Sequence, residues 1–284
     1  ILQSKGWLVP AVTYEAPMPD RSKLRSKNGD FDEAQLEEAY CDEGLLDEIP
    51  KYWAKHAQGL RTIAFTVGVT ASLRLCDRFR RVGVRAEHVD GTSSDADLES
   101  AIAKLRNQEI DVLCNCAVLL EGLDVPEAGA IILATSTFSV ARYMQMCGRG
   151  LRIAAGKRRL VIIDHGGNAY RHDLVDAERD WHNHGKTLAD SLKRCVSCAA
   201  MIPPWVDTCS SCWKPAQVGP SAPAALAVRR AEQASTKRTR ARPCPVWAEG
   251  VAAAWLAAEQ ERVDLSLPLS YPDSRARRAL RKET

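Results

Sequence analysis

The sequence predicts an α/β fold built on a mostly parallel sheet, and three observations predict it. First, short apolar runs recur at 62–67 (TIAFTV), 84–89, 112–115, 130–134 and 160–164. The runs at 62–67, 130–134 and 160–164 are apolar throughout or nearly so, as strands buried on both faces are. Second, helical patterns lie between them. Leu75, Cys76, Phe79 and Val82 share a face over 70–82, and Leu98, Ile102 and Leu105 do so over 95–107; a third helix is predicted over 139–147. Third, Gly83 stands where a helix C-terminus favours a left-handed residue. Strands that alternate with helices build a parallel sheet covered on both sides.

Ahead of this pattern, residues 1–19 contain prolines and read as an extended lead-in, and 20–30 as a polar loop. A helix is predicted over 32–40, with Asp30 or Asp32 as its cap. Another is predicted from Asp47 or Pro50 to Gln58, with Trp53 and Ala57 on one face. After Asp164 the alternation stops. Residues 165–186 are polar and rich in histidine, 194–214 are compact and carry cysteine pairs, and 218–245 read as a linker. A short helix is predicted over 246–263, followed by a loose basic tail. The boundaries predicted are 1–58 for the lead-in and its helices, 59–186 for the α/β domain, 190–217 for the cysteine-rich element and 218–284 for linker and tail.

The length of 284 residues suits one medium domain with a smaller one, or two domains. No run of eighteen apolar residues exists, so no membrane span is expected. Residues 1–10 lack the basic region and apolar core of a signal peptide, and the start at Ile1 suggests a fragment or a processed product. A net charge of +3 does not by itself mark a nucleic-acid binder. The charge is unevenly placed: 30–48 is acidic, while 229–242 and 275–282 are basic. Cys76, Cys114, Cys116 and Cys147 sit in apolar patterns, where a free thiol acts as a small hydrophobe, so a reducing, cytoplasmic setting is expected.

The most informative stretch is 111–152. An apolar strand leads to Glu121-Gly122-Leu123-Asp124-Val125-Pro126, and the next strand leads to Gln145-Met146-Cys147-Gly148-Arg149-Gly150-Leu151-Arg152. Taken singly, the first is an ordinary turn and the second a cationic helix end. Both are expected at the carboxyl ends of strands, where α/β sheets place functional groups. Together they resemble motifs V and VI of superfamily 2 helicases. That resemblance implies the second of two RecA-like domains, of the P-loop NTPase type. It implies that Gly122, Asp124 and Gly148 border the nucleotide cleft, with Cys116, Leu120 and Glu121 on the nucleic-acid side. Arg149 and Arg152 then reach ATP phosphates held with Mg²⁺ by the other domain, and Gln145 helps to fix the motif. A planar guanidinium suits that task, since it donates paired hydrogen bonds to phosphoryl oxygens.

Other segments extend the resemblance. Residues 62–72 look like motif IV, whose helix N-terminus at Gly68, Val69 and Thr70 offers amides to a nucleic-acid phosphate. Asp90-Gly91 looks like the small turn that the family sets beside the bound strand. The family usually has a threonine near Cys116 or Leu120, which this chain lacks. No GxxxxGK[ST] loop occurs; GLRIAAGK at 150–157 has one residue too many and Arg158 after its lysine. No DEAD- or DEAH-like tetrad occurs either. The ATP-holding first domain is therefore expected before Ile1 or on another chain.

The second strong signal is Cys195-x-x-Cys198 and Cys209-x-x-Cys212, separated by ten residues. Two such knuckles supply four thiolates for tetrahedral Zn²⁺, which a segment this small needs in place of a core. Zinc ribbons often have glycine after each second cysteine; here Ala199 and Trp213 stand there. Trp205 and Trp213, near Lys193, Arg194 and Lys214, either stack on bases or form the ribbon's mini-core. His165, His172, His182 and His184 have no compact ligand spacing. This order of parts, with the lead-in 2–17, resembles the C-terminal half of RadD-like bacterial and phage DEAD/DEAH-box helicases. The resemblance covers the chain to about Pro215. It implies ATP-dependent translocation on DNA, single-stranded or branched, with RNA as the alternative partner. Restriction-enzyme motors of types I and III share the same motifs, and a non-catalytic nucleic-acid-binding module is a third reading.

Overall fold

The computed structural model describes residues 7–21, 24–27, 29–116, 125–177, 179–180, 186–187, 192–203 and 206–215. The expected turn at Leu120, Glu121, Gly122 and Asp124, Trp205, His182, His184, the basic stretch 229–242 and the helix over 246–263 all lie outside them.

Six parallel strands form the central sheet, in the order β1-β8-β7-β4-β6-β5. They are β1 (Ala11–Glu15), β4 (Thr62–Thr66), β5 (Ala86–Val89), β6 (Val112–Cys116), β7 (Ala130–Ala134) and β8 (Leu160–Asp164). β4, β7 and β8 are buried along their whole length, as their unbroken apolar runs predict. Two-residue strands β2 (Ser26–Lys27) and β3 (Asp30–Phe31) pair with each other, as do β9 (Arg179–Asp180) with β10 (Lys186–Thr187) and β11 (Lys193–Arg194) with β12 (Met201–Ile202).

Alternate strand residues feed two cores. On one face, α1 (Glu33–Tyr40), α2 (Glu43–Ala57) and α3 (Val69–Arg81) pack Leu36, Ile49, Trp53, Leu75 and Phe79 against Ala64, Cys114, Ile132 and Ile163. On the other, α4 (Asp95–Arg106) and α5 (Val140–Leu151) pack Ile102, Leu105, Tyr143 and Met146 against Ile63, Leu113, Ile131 and Ile162. α6 (Asn168–His172) is a single short turn after β8. This is the predicted α/β class, a RecA-like sheet with helices on both faces.

Three elements differ from the sequence prediction. Residues 11–15, within the predicted extended lead-in, are a strand of the main sheet; Ala11 to Glu15 register with Leu160 to Asp164 of β8. α2 begins at Glu43, capped by the Asp42 side chain, and runs through Pro50. An interior proline costs about 3 kcal/mol, but Leu45, Leu46, Ile49 and Trp53 are all buried along this helix and hold it in place. α5 continues four residues past the predicted end, to Leu151. Its last turn is possible because of Gly150. A side-chain methyl there would collide with Leu160 Cδ1 and press on Ile131 Cγ1 at 3.1 Å.

Both of those neighbours are fully buried and have nowhere to move. On helix propensity alone, Gly150→Ala stabilises by about 1 kcal/mol. The packing dictates the opposite sign: a loss of about 1–3 kcal/mol from overpacking, read as a lower midpoint in urea denaturation.

Candidate functional site

The carboxyl ends of β4, β5 and β6 gather three predicted contacts. β4 leads to Gly68, the N-cap of α3; Val69 and Thr70 are exposed in the first turn. Glycine offers no side-chain acceptor, so the first amides of α3 need one from elsewhere. Glu37 of α1 provides it. Its Oε1 accepts from Thr70 N at 2.8 Å and Ala71 N at 3.2 Å. A carboxylate of this chain thus occupies the Thr70 amide, one of the three expected to hold a phosphate, together with that of Ala71. The acidic stretch continues onto α2, where Glu43 and Asp47 pair with Arg78 of α3. Cys116, at the end of β6, donates its thiol to Val67 O at 3.5 Å, beside Gly68. Burial pushes the Cys116 thiol pKa up, so it stays protonated.

The Asp90-Gly91 turn at the end of β5 is ordered by its own side chains. Asp90 Oδ1 accepts from Thr92 N at 2.8 Å and Thr92 Oγ1 at 2.7 Å. His88 Nε2 donates to Asp90 Oδ2 at 3.0 Å, and its Nδ1 lies 2.7 Å from Ser72 Oγ. The Thr92 and His88 hydrogen bonds hold the Asp90 carboxyl at about 2. His88 therefore ties the first turn of α3 to the turn carrying Gly91. Ser72 is fully buried, so this relay sets positions rather than offering a nucleophile. Sequence reasoning missed Glu37 and His88. The uncapped Gly68 after an acidic helix was the available signal for the first; nothing local marked the second.

The arginine segment lies elsewhere. α5 starts near the carboxyl ends of the strands but runs antiparallel to them. Gly150 packs on Leu160, the first residue of β8, and Arg152 bridges to Leu8, just ahead of β1. Arg149 and Arg152 are thus at the amino ends of the strands, which corrects the expectation that their helix end sits at the carboxyl edge. The physical reason is simple: a right-handed crossover must return to the start of the next strand. Arg142, Gln145, Arg149 and Arg152 fall within about 80° of helical arc, beside the buried face of Tyr143, Met146, Cys147, Gly150 and Leu151. Gln145 is exposed; Arg149, Arg152 and Gly148 are half-buried, and the space over Gly148 is open. Lys157 donates to Pro126 O at 2.8 Å, and burial lowers its pKa to about 8. Its ammonium is engaged within the fold.

The four cysteines of the second motif converge. All four Sγ atoms lie within 4.8 Å of one another, with Cys195–Cys212 and Cys198–Cys209 each 3.7 Å apart. A tetrahedral Zn²⁺ with Zn–S of about 2.3 Å requires sulfurs roughly 3.8 Å apart, so the donor set fits. Burial raises the Cys195 pKa, but backbone amides of Cys198 and Ser197 and the neighbouring thiols outweigh it and bring it to about 7. Both knuckles turn at a left-handed residue, Ala199 at φ 65° and Trp213 at φ 58°. Those are the two positions where glycine is usual, and the geometry explains why. Ala199 is buried, whereas Trp213 is 81% exposed and so is not a mini-core residue.

The ribbon docks on the sheet rather than hanging from it. Ala200 bridges to Tyr14 of β1, Tyr14 Oη lies 2.7 Å from Ser211 Oγ, and Arg194 pairs with Glu15 at 3.4 Å. Cys195, Ala200, Ile202 and Cys209 share one core with Val12 and Tyr14. Among the described histidines, His165 donates from Nδ1 to Pro17 O at 2.7 Å and His172 from Nε2 to Thr137 O at 2.8 Å. Burial holds both near pKa 4 and neutral. They serve loop packing, consistent with their lack of ligand spacing. No helix among the described residues is long and apolar enough to cross a membrane.

One end of the sheet carries strand-to-helix amides and the other an arginine helix, and the chain is similar to the C-terminal domains of superfamily 2 helicases. Residues 43–154 match the family model described as the helicase conserved C-terminal domain. The chain is 31% identical over 213 residues to a 51.5 kDa protein of a Lactococcus phage, covering 72% of this chain and 47% of that one. It is 33% identical over 160 residues to a candidate mitochondrial ATP-dependent helicase, irc3, of Schizosaccharomyces pombe, covering 56% of this chain and 26% of the relative. UvrABC system protein B of Chlorobium limicola is 30% identical over 117 residues, 39% of this chain and 17% of that protein. Among solved structures, the C-terminal domain of the DEAD-box protein Dbp5 is 15% identical with a TM-score of 0.41, over 57% of this chain and 79% of that one. So distant a likeness carries no functional weight. The chain spans less than half the length of the three relatives.

The cysteine geometry predicts about one Zn²⁺ per chain in reduced protein, read by elemental analysis. Chelation, or Cys209→Ala, should release the ribbon and expose β1 to limited proteolysis. Metal content well below one per chain would reject the four-cysteine site.

Proposed function

We propose that this chain is the C-terminal portion of an ATP-dependent DNA translocase or helicase of the RadD-like branch. The observation that carries this reading is the placement of two functional surfaces at opposite ends of one sheet. The carboxyl ends present Gly68, Val69, Thr70, Gly91 and Cys116. The amino ends present Gly148, Arg149 and Arg152 at the end of α5 and its cap, with Gln145 about one turn earlier on the helix. A motor has this requirement: one surface touches the track and another senses the nucleotide.

In this reading a first RecA-like domain, outside residues 1–284, holds ATP with Mg²⁺ against the arginine face. Arg149 and Arg152 donate to phosphoryl oxygens as negative charge spreads there during transfer. Lysine lacks the planar fork needed for paired donation. Gln145, four residues before Arg149 on the same helix face, orders the segment; Gly148 lets the neighbouring domain approach closely. Gly122 and Asp124 belong to the same cleft, and Leu120 and Glu121 to the nucleic-acid side, by the family resemblance. The ribbon cysteines hold Zn²⁺ in a structural role, with all four positions filled by protein. Glu37 has a regulatory place here: a backbone phosphate of the track competes with its carboxylate for the amides of Thr70 and Ala71.

Two outcomes test the reading. The chain alone should show no ATP turnover above background, while Arg149→Ala in a protein that also carries the first domain should abolish turnover with an unchanged thermal midpoint; persistent turnover removes the finger role. Glu37→Ala should bind a labelled single-stranded oligonucleotide more tightly in anisotropy titrations, while losing about 1 kcal/mol of stability with the lost cap. Unchanged affinity would take the α3 amides out of the nucleic-acid surface.

A further inference from the structure

We propose that Trp213 is a stacking platform for an unpaired base of single-stranded DNA, fixed to the motor domain through the second cysteine knuckle. This rests on the nucleic-acid reading above and adds a site to it. Trp213 is a bulky side chain in the left-handed region, at φ 58°. An L-residue held there costs roughly 1–2 kcal/mol, and glycine would remove the strain. The ribbon gains nothing in packing from the indole, because it is 81% exposed. The ribbon's interior is made instead by Leu192, Met201, Ile202 and the cysteines. The matching position of the first knuckle, Ala199, is small and buried. A strained backbone that presents a large aromatic to solvent is the pattern of a contact surface.

The charge around it selects the occupant. Outside the cysteines, the described ribbon residues carry Lys193, Arg194 and Lys214 against one acid, Asp207. Lys214, next to the indole, is exposed. Arg194 is already paired with Glu15; Lys214, the residue after Trp213, sets a cation beside the aromatic face, which suits a base with its phosphate, since every base offers a π-face whatever its identity. The site is also anchored. Ser211, two residues before Trp213, lies 2.7 Å from Tyr14 Oη of β1. Tyr14 and Glu15 form the carboxyl end of β1, the same end of the sheet that presents the α3 amides and Gly91. The indole therefore moves with this domain, and a base stacked on it would be carried along whenever the domain moves.

The test uses the zinc-loaded chain with labelled oligo(dT) and, separately, a blunt duplex. Trp213→Gly should keep its zinc and a thermal midpoint equal to or above wild type, yet bind oligo(dT) about tenfold more weakly. Duplex binding should not change, because paired bases are not offered, and Trp213→Tyr should restore most of the oligo(dT) affinity. Wild-type affinity for oligo(dT) in Trp213→Gly overturns the platform and leaves the indole to a protein partner. Absence of oligo(dT) binding by the wild-type chain itself overturns the nucleic-acid reading together with the platform, so the two failures are distinguishable.

Discussion

The main-chain ladder between β1 and β8 is the interaction on which most of the structure depends. Ala11 to Glu15 pair in register with Leu160 to Asp164 and extend the sheet by one strand. Three other parts attach to that strand. Val9, just before it, donates to the Leu151 carbonyl at 2.9 Å, which ties down the end of α5. Tyr14 and Glu15 receive the ribbon. Beyond it, Pro17 and Arg21 bond to the loop after β8, through His165 and Gly166. Without the ladder, the ribbon and the arginine helix would lose their common reference. The ribbon in turn shields β1, which is an edge strand and would otherwise leave unpaired backbone groups open to association.

A second constraint is the acidic grip on α3. Glu37 caps its first turn while Glu43 and Asp47 pair with Arg78 farther along. The acidic stretch 30–48 therefore does not form a repelling tail; opposite charges on α3 neutralise part of it. Asp30 is spent in the same way, accepting from Phe138 N at 2.8 Å and from Thr137 Oγ1 at 2.5 Å at the loop that opens α5. The acidity of this stretch is thus taken up inside the fold, by Arg78 and by N–H and hydroxyl donors.

Much of the fold was legible because buried parallel strands leave unbroken apolar runs, as in TIAFT and LVIID. β1 was not, since AVTYE is short, lies among prolines and finds its partner about 150 residues later. The extra turn of α5 was hidden because two glycines in Gly-Arg-Gly read as a helix end, whereas Gly150 is there for close packing on Leu160. The cysteine cluster was legible in full, because ligand spacing is local. The direction of the arginines was not: strand-end rules describe loops that follow strands, and Arg149 sits at the far end of the following helix. Glu37 left only an indirect signal, the uncapped Gly68, because it stands 33 residues from the amide it caps.

The short antiparallel join of Leu8 and Val9 to Leu151 and Arg152 has a mechanical consequence. Tension entering along the backbone at Trp7 meets this join before it reaches β1. The load then divides, part passing into the end of α5 and part into the β1–β8 ladder. The helix that carries the arginines is thus strung in parallel with the sheet rather than suspended behind it. The Val9 amide and the Leu151 carbonyl are thus where the start of β1 and the end of α5 share one load.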